Sequence, residues 1–146
     1  MYIGNPGSTV SSGIAYAVRS EETVLENFYF FFDAKKQVGE ILEKISCSVH
    51  SDSSRINPDH ILIPELRHCR TVCIANKQHN DTIYFSEVNV DQLLFFLNML
   101  DYPVEIVHFV ETNRHKLDHL LYDVGFDYIS HGDKLQILKS GYYGVF

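Results

Sequence analysis

The sequence predicts an α/β domain, a mixed central sheet flanked by helices, on three observations. Residues 103–139 read as a buried strand, a short amphipathic helix closed by Gly125-Phe126, and a terminal hairpin. Upstream of them, segments with strand alternation and segments with helical stripes take turns along the chain. The third is size and composition: 146 residues, 45% hydrophobic and 21% charged, fill one domain with a real core, and no repeat or linker divides it.

Residues 4–13 are rich in Gly, Ser, Asn and Pro and read as a flexible lead-in. Residues 13–19 alternate well enough for a first strand. Ser20-Glu21-Glu22 resembles a helix start, because carboxylates are favoured beside the positive end of the helix dipole. The run Phe28-Tyr29-Phe30-Phe31-Phe32 has strand propensity, but its continuation from Ser20 favours helix, and helix is the expectation. Asp33 begins a second helix, with a stripe of Val38, Ile41, Leu42, Ile45 and Val49 over residues 34–49. A Ser-rich loop closes it over residues 46–54. Residues 60–64 form a short apolar piece, and Pro64 suits an edge or a strand end. Residues 67–75 and 82–88 read as strands joined by the polar turn 76–81. Asn89 with Gln92 three residues on is a capping-box signature for a helix over residues 90–100. That helix is apolar nearly all round, so it needs cover on more than one side.

In residues 103–110, Val104, Ile106, His108 and Val110 share a strand face, and the run suits a strand well inside a sheet. Thr112 or Asn113 then caps a helix striped by Leu117, Leu120, Leu121 and Val124, which leaves His115, Asp118, His119 and Tyr122 toward solvent. Gly125 ends it in the left-handed conformation and Phe126 turns inward. Tyr128-Ile129 and residues 135–138 are strands about the turn His131-Gly132-Asp133. The aromatic tail, residues 141–146, either docks back as an edge strand or offers a self-association or partner surface.

A strand running into an Asn-led helix, then Leu121-x-x-x-Gly125-Phe126, then a hairpin ending in Lys139, resembles the C-terminal half of the GNAT acyltransferase superfamily. The resemblance covers the last third of the chain and implies a GNAT-like fold. It places an acyl-CoA site between the strand 82–88 and the helix 90–100, with acetyl-CoA or CoA as cofactor. Val88, Asn89, Val90 and Asn113 would hold that cofactor. Glu87 or Glu111 would act as base toward an amine, and Tyr122 or Tyr128 as acid toward the departing thiolate. Two departures weigh against the reaction. The family's glycine-rich phosphate loop is replaced by Ser86-Glu87-Val88-Asn89-Val90-Asp91-Gln92, which has no glycine and no basic residue, and Glu87 and Asp91 repel phosphate. Leu121 stands where the family usually carries its acid tyrosine, and Tyr122 lies one position later. The expected function is a degenerate, non-catalytic GNAT-like module that binds a protein partner or a small ligand. The alternative is a divergent acyl-CoA-dependent N-acetyltransferase acting on an amine.

A net charge of −7 argues against nucleic acid and anionic membranes as partners. No apolar run approaches the ~20 residues that cross a bilayer. The first residues show no secretion signal, and three cysteines are too few for a disulfide framework, so the expected compartment is the cytoplasm. His68, Cys69, Cys73 and His79 lie close in sequence. On a strand, however, Cys69 and Cys73 point away from His68, so they read as small buried side chains and no metal is expected. His115 and His119 sit on a solvated helix face, and His108 reads as a hydrogen-bonded core residue. The apolar helix 90–100 and the aromatic tail together make a homodimer or a protein partner a fair expectation.

Overall fold

The structure, a computed structural model, describes residues 1–5 and 10–145. Seven strands form one sheet in chain order: β1 (Tyr2–Asn5), β2 (Ser11–Val18), β3 (Thr23–Asp33), β4 (Thr71–Lys77), β5 (Asp81–Val88), β6 (Leu121–His131) and β7 (Lys134–Val145). Every neighbouring pair is antiparallel. α1 (Val38–Ser46) and a 3-10 turn, Pro58–His60, lie between β3 and β4. α2 (Val90–Met99), α3 (Val104–Thr112) and α4 (Arg114–Leu117) lie between β5 and β6. Among the described residues no helix is long and apolar enough to cross a membrane.

The helices cover one face of the sheet. The cross-strand rows Phe32-Val72-Phe85-Val124 and Phe30-Ile74-Ile83-Phe126 meet Ile41 and Ile45 of α1 and Leu93, Phe96 and Leu97 of α2 in one apolar core. Such close-packed burial drives the fold. The other face carries Tyr29, Ala75, Thr82 and Asp127 in one row and Phe31, Cys73, Tyr84 and Gly125 in the next. There the Asp127 carboxylate takes the Lys77 ammonium at 2.9 Å and the Thr82 hydroxyl. Both charges are largely buried, so each depends on the other.

This corrects the expected mixed α/β sheet of GNAT type. The fold is a seven-stranded antiparallel sheet with helices in two connections. The segment expected to pair with β5 is α3. Asp101, at φ 51°, turns the chain, and Pro103 starts a helical turn by accepting from the Ile106 and Val107 amides. Val107 and Val110 are then buried while Val104 and Phe109 stay exposed, which is a helical and not a strand pattern. The next expected helix shrinks to the four residues of α4, because Tyr122, Val124, Phe126 and Tyr128 bury at a period of two and form β6. Tyr122 is therefore buried, 7% exposed, not solvent-facing. Gly125 is mid-strand and ends no helix: a Cβ there would lie 2.5 Å from the Tyr84 ring.

The helix expected over residues 20–32 is also a strand. Glu21 lies in the turn of a hairpin closed by the Arg19 amide on the Glu22 carbonyl at 2.9 Å, and the phenylalanines alternate along β3. β4 starts at Thr71; the expected piece 60–64 is not strand, since His60 ends the 3-10 turn and Ile61, Leu62 and Ile63 are buried in a loop. The capping box of α2 forms as expected, with Asn89 and Gln92 bonded reciprocally at 2.9 and 3.0 Å. The β6–β7 turn closes at Gly132, φ 65°. Of the lead-in 4–13, residues 6–9 lie outside the described residues, as does Phe146 of the tail.

Candidate functional site

β7 runs for 12 residues along the edge of the sheet, zipped to β6 from Leu121↔Val145 to His131↔Lys134. An antiparallel strand directs the N–H and C=O of alternate residues to opposite sides, so an edge strand leaves half of them free to pair. Its side chains are unusually apolar for an edge: Ile137, Leu138, Tyr142, Tyr143 and Val145 are all exposed, Tyr143 at 69%. The turn before α3 fixes what lies beside it. The Tyr102 hydroxyl is 2.7 Å from Ser140 Oγ, and its ring meets Tyr142 edge-on at 5.7 Å. Beside Tyr142 lies an apolar groove of about 330 Å³, lined by Leu93 of α2, Glu105, Ile106, Phe109 and Val110 of α3, Leu117 and Tyr122. Phe109 at its rim is 62% exposed. Residues 134–145 include Lys134 and Lys139 and no carboxylate, a basic edge on a chain of net charge −7.

The residues that the resemblance singled out fall on separate elements. Glu87 sits at the register shift between β5 and β6, at φ 64°, a left-handed position that costs a non-glycine residue. Its carboxylate pairs with Arg70 at 3.0 Å, and its amide donates to Asp123. Glu111 is exposed near the end of α3, and Asn113 caps that end by donating to the Phe109 carbonyl. The Tyr122 hydroxyl donates to the Leu117 carbonyl at 3.3 Å, and burial pushes its pKa up. Tyr128 is fully buried six residues along the same strand, about 20 Å away at strand spacing. Val88 and Val90 are buried apolar side chains beside Asn89. At the start of α2 the capping box already satisfies the Gln92 amide, and Arg114 clamps Asp91 through two bonds of 2.7 Å. β5 pairs continuously with β6 from Asp81 to Phe85, and the ladder resumes at Val88 after the register shift.

The cysteines and histidines lie as follows. Cys69 and Cys73 are buried, and desolvation raises their thiols to about 11 and about 12. Among the described residues no three His, Cys, Asp or Glu side chains come together as a metal ion would need. His108 is exposed on α3, not in a strand core.

The groove residues Ile106 and Phe109 escaped the sequence reading, because residues 103–110 read as a strand there. An i, i+3 pair of large apolar residues after a proline was the signal available. Tyr142 and Tyr143, in contrast, lie in the aromatic tail that sequence alone marks out. Comparison with known proteins finds no family model, no curated protein and no solved structure that matches this chain.

Proposed function

We propose that this chain is a non-catalytic interaction module that takes up an extended segment of a partner protein along β7. The observation that carries the reading is a 12-residue unpaired edge with an apolar groove beside it. Strand addition draws affinity from main-chain hydrogen bonds and specificity from pockets for alternate side chains, and this surface offers both. Lys134 and Lys139 favour a segment carrying carboxylates. They disfavour a second β7, since like charges close together across paired strands repel and the β6–β7 register shift distorts the edge. A reducing compartment such as the cytoplasm suits the three free cysteines.

The test is hydrogen exchange by NMR on the full chain, with a synthetic peptide alternating valine and glutamate and its valine–lysine counterpart. The acidic peptide should slow exchange along residues 134–145 and shift Ile106 and Phe109. Phe109→Glu and Lys139→Glu should each weaken it about tenfold. Equal binding of the lysine peptide, or protection elsewhere on the sheet, would overturn the reading. Protection of β7 without peptide, in a sedimenting dimer, would put a second copy of this chain on the edge instead.

A further inference from the structure

At the other end of the sheet a carboxylate is buried without a cation. Asp81 opens β5 and is 1% exposed. It accepts from the Ser48 hydroxyl and from Asn76 Nδ2 at 2.7 Å, both neutral donors. Among the described residues no Lys, Arg or His pairs with it. Lys77, its near neighbour across the turn, sends its ammonium to the opposite face and to Asp127. A buried carboxylate is costly unless it is paired with positive charge, and neutral hydrogen bonds offset that only in part.

Asp81 also lines a cavity of about 450 Å³, where α1 has ended and residues 47–50 take over as cover. Its walls are apolar: Val24, Leu25, Phe28 and Val49, the last 92% exposed at the mouth. The polar lining mixes acceptors with neutral donors, and Ser48 and Asn76 already give theirs to Asp81. Glu26 is a second carboxylate, and the Lys77 carbonyl lies 3.0 Å from His50 Nε2. The surroundings are short of partners too. Tyr128, opposite Asp81 on β6 and behind the cavity wall, is fully buried, and among the described residues neither its hydroxyl nor the buried Ser51 Oγ has a partner. Buried polar atoms of this kind are few in folded proteins, and each calls for a reason.

We propose that this cavity binds a small organic cation, a protonated amine on an apolar body. The ammonium meets Asp81 and the body lies against Val24, Leu25 and Phe28. The site stands apart from the β7 edge and does not depend on it. Ser48 serves as a positioning residue: its oxygen accepts from the His50 amide at 2.9 Å while its hydroxyl holds the carboxylate.

The experiment titrates the full chain with phenethylammonium chloride, with neutral 2-phenylethanol and with phenylacetate, by calorimetry and amide NMR. The amine should saturate and shift Ser48, His50 and Asp81. The alcohol and the anion should bind at least about tenfold more weakly, the usual worth of a charge-assisted hydrogen bond over a neutral one. Asp81→Asn should abolish the preference for the amine. Val49→Lys, at a position exposed enough to fold normally, should weaken the amine more than the alcohol, because it places a cation at the mouth as well as trimming the apolar wall. Equal binding of the three compounds, no binding of the amine, or an amine affinity indifferent to Val49→Lys would each overturn the proposal.

Discussion

Gly125 shows how one residue can carry two readings. In sequence it sits four after a leucine and before a phenylalanine, the pattern of a helix end. In the sheet it is the floor on which the Tyr84 ring rests, and a Cβ there would lie 2.8 Å from the Ile83 carbonyl as well. Backbone cannot yield as a flexible side chain can. Gly125→Ala should therefore cost about 2 kcal/mol, typical of overpacking, read from a urea melt of the purified protein. An unchanged midpoint would mean that Tyr84 swings away freely. Lys77 is a second such residue: nothing in its neighbourhood in sequence announces Asp127, 50 positions on, as its partner.

Among the elements, α2 was the most legible. Its capping box is local chemistry, complete within residues 89–92, and it forms whatever packs against it. Asn89→Ala should cost about 1 kcal/mol, measured by thermal unfolding, since the Gln92 amide loses its acceptor. α3 and β6 were exchanged, strand for helix and helix for strand. Residues 104–110 include four β-branched side chains, Val104, Ile106, Val107 and Val110, so propensity pointed to a strand, and the turn at Asp101 and Pro103 overrode it. Residues 117–128 carry both a stripe at 3.6 and an alternation at 2.0. Pairing with β5 on one side and β7 on the other chose the second. The elements of the proposed interaction surface divide in the same way. Tyr142 and Tyr143 could be marked from sequence, whereas Ile106 and Phe109 acquire their role only once α3 exists.

For the whole molecule, buried thiols and tyrosines on both faces of the sheet set the response to alkali. Burial pushes Tyr84 up from 10.0 to about 12, with Tyr29, Asp127 and Cys73 adding to it, and raises Cys69 and Cys73 from 9.0 to about 11 and about 12. Tyr128 is raised as well, by burial and then by Asp81. In each case the unfolded chain gives up its proton first. Stability from these groups is fully present below pH 9 and is lost as pH rises through the folded values near 11 and 12. The urea midpoint should hold level to about pH 9 and then fall. Replacing Cys69 and Cys73 with alanine should flatten the first part of that fall. A level midpoint up to pH 11 would show that these side chains ionise in the folded protein as they do in water.

By itself the sequence determined whatever is settled within a few residues. The α2 cap, the Gly132 turn and the hairpin about it belong here, because short side chains and local dihedrals decide them, and the chain's net charge of −7 follows from composition alone. Tertiary structure alone decided the sheet's order and its uniformly antiparallel sense. It also decided which of two periods residues 117–128 obey, and the meeting of Ser48 with Asp81 and of Lys77 with Asp127. These depend on contacts between residues tens of positions apart, where burial of a shared apolar face outweighs the few tenths of a kcal/mol that local propensity supplies.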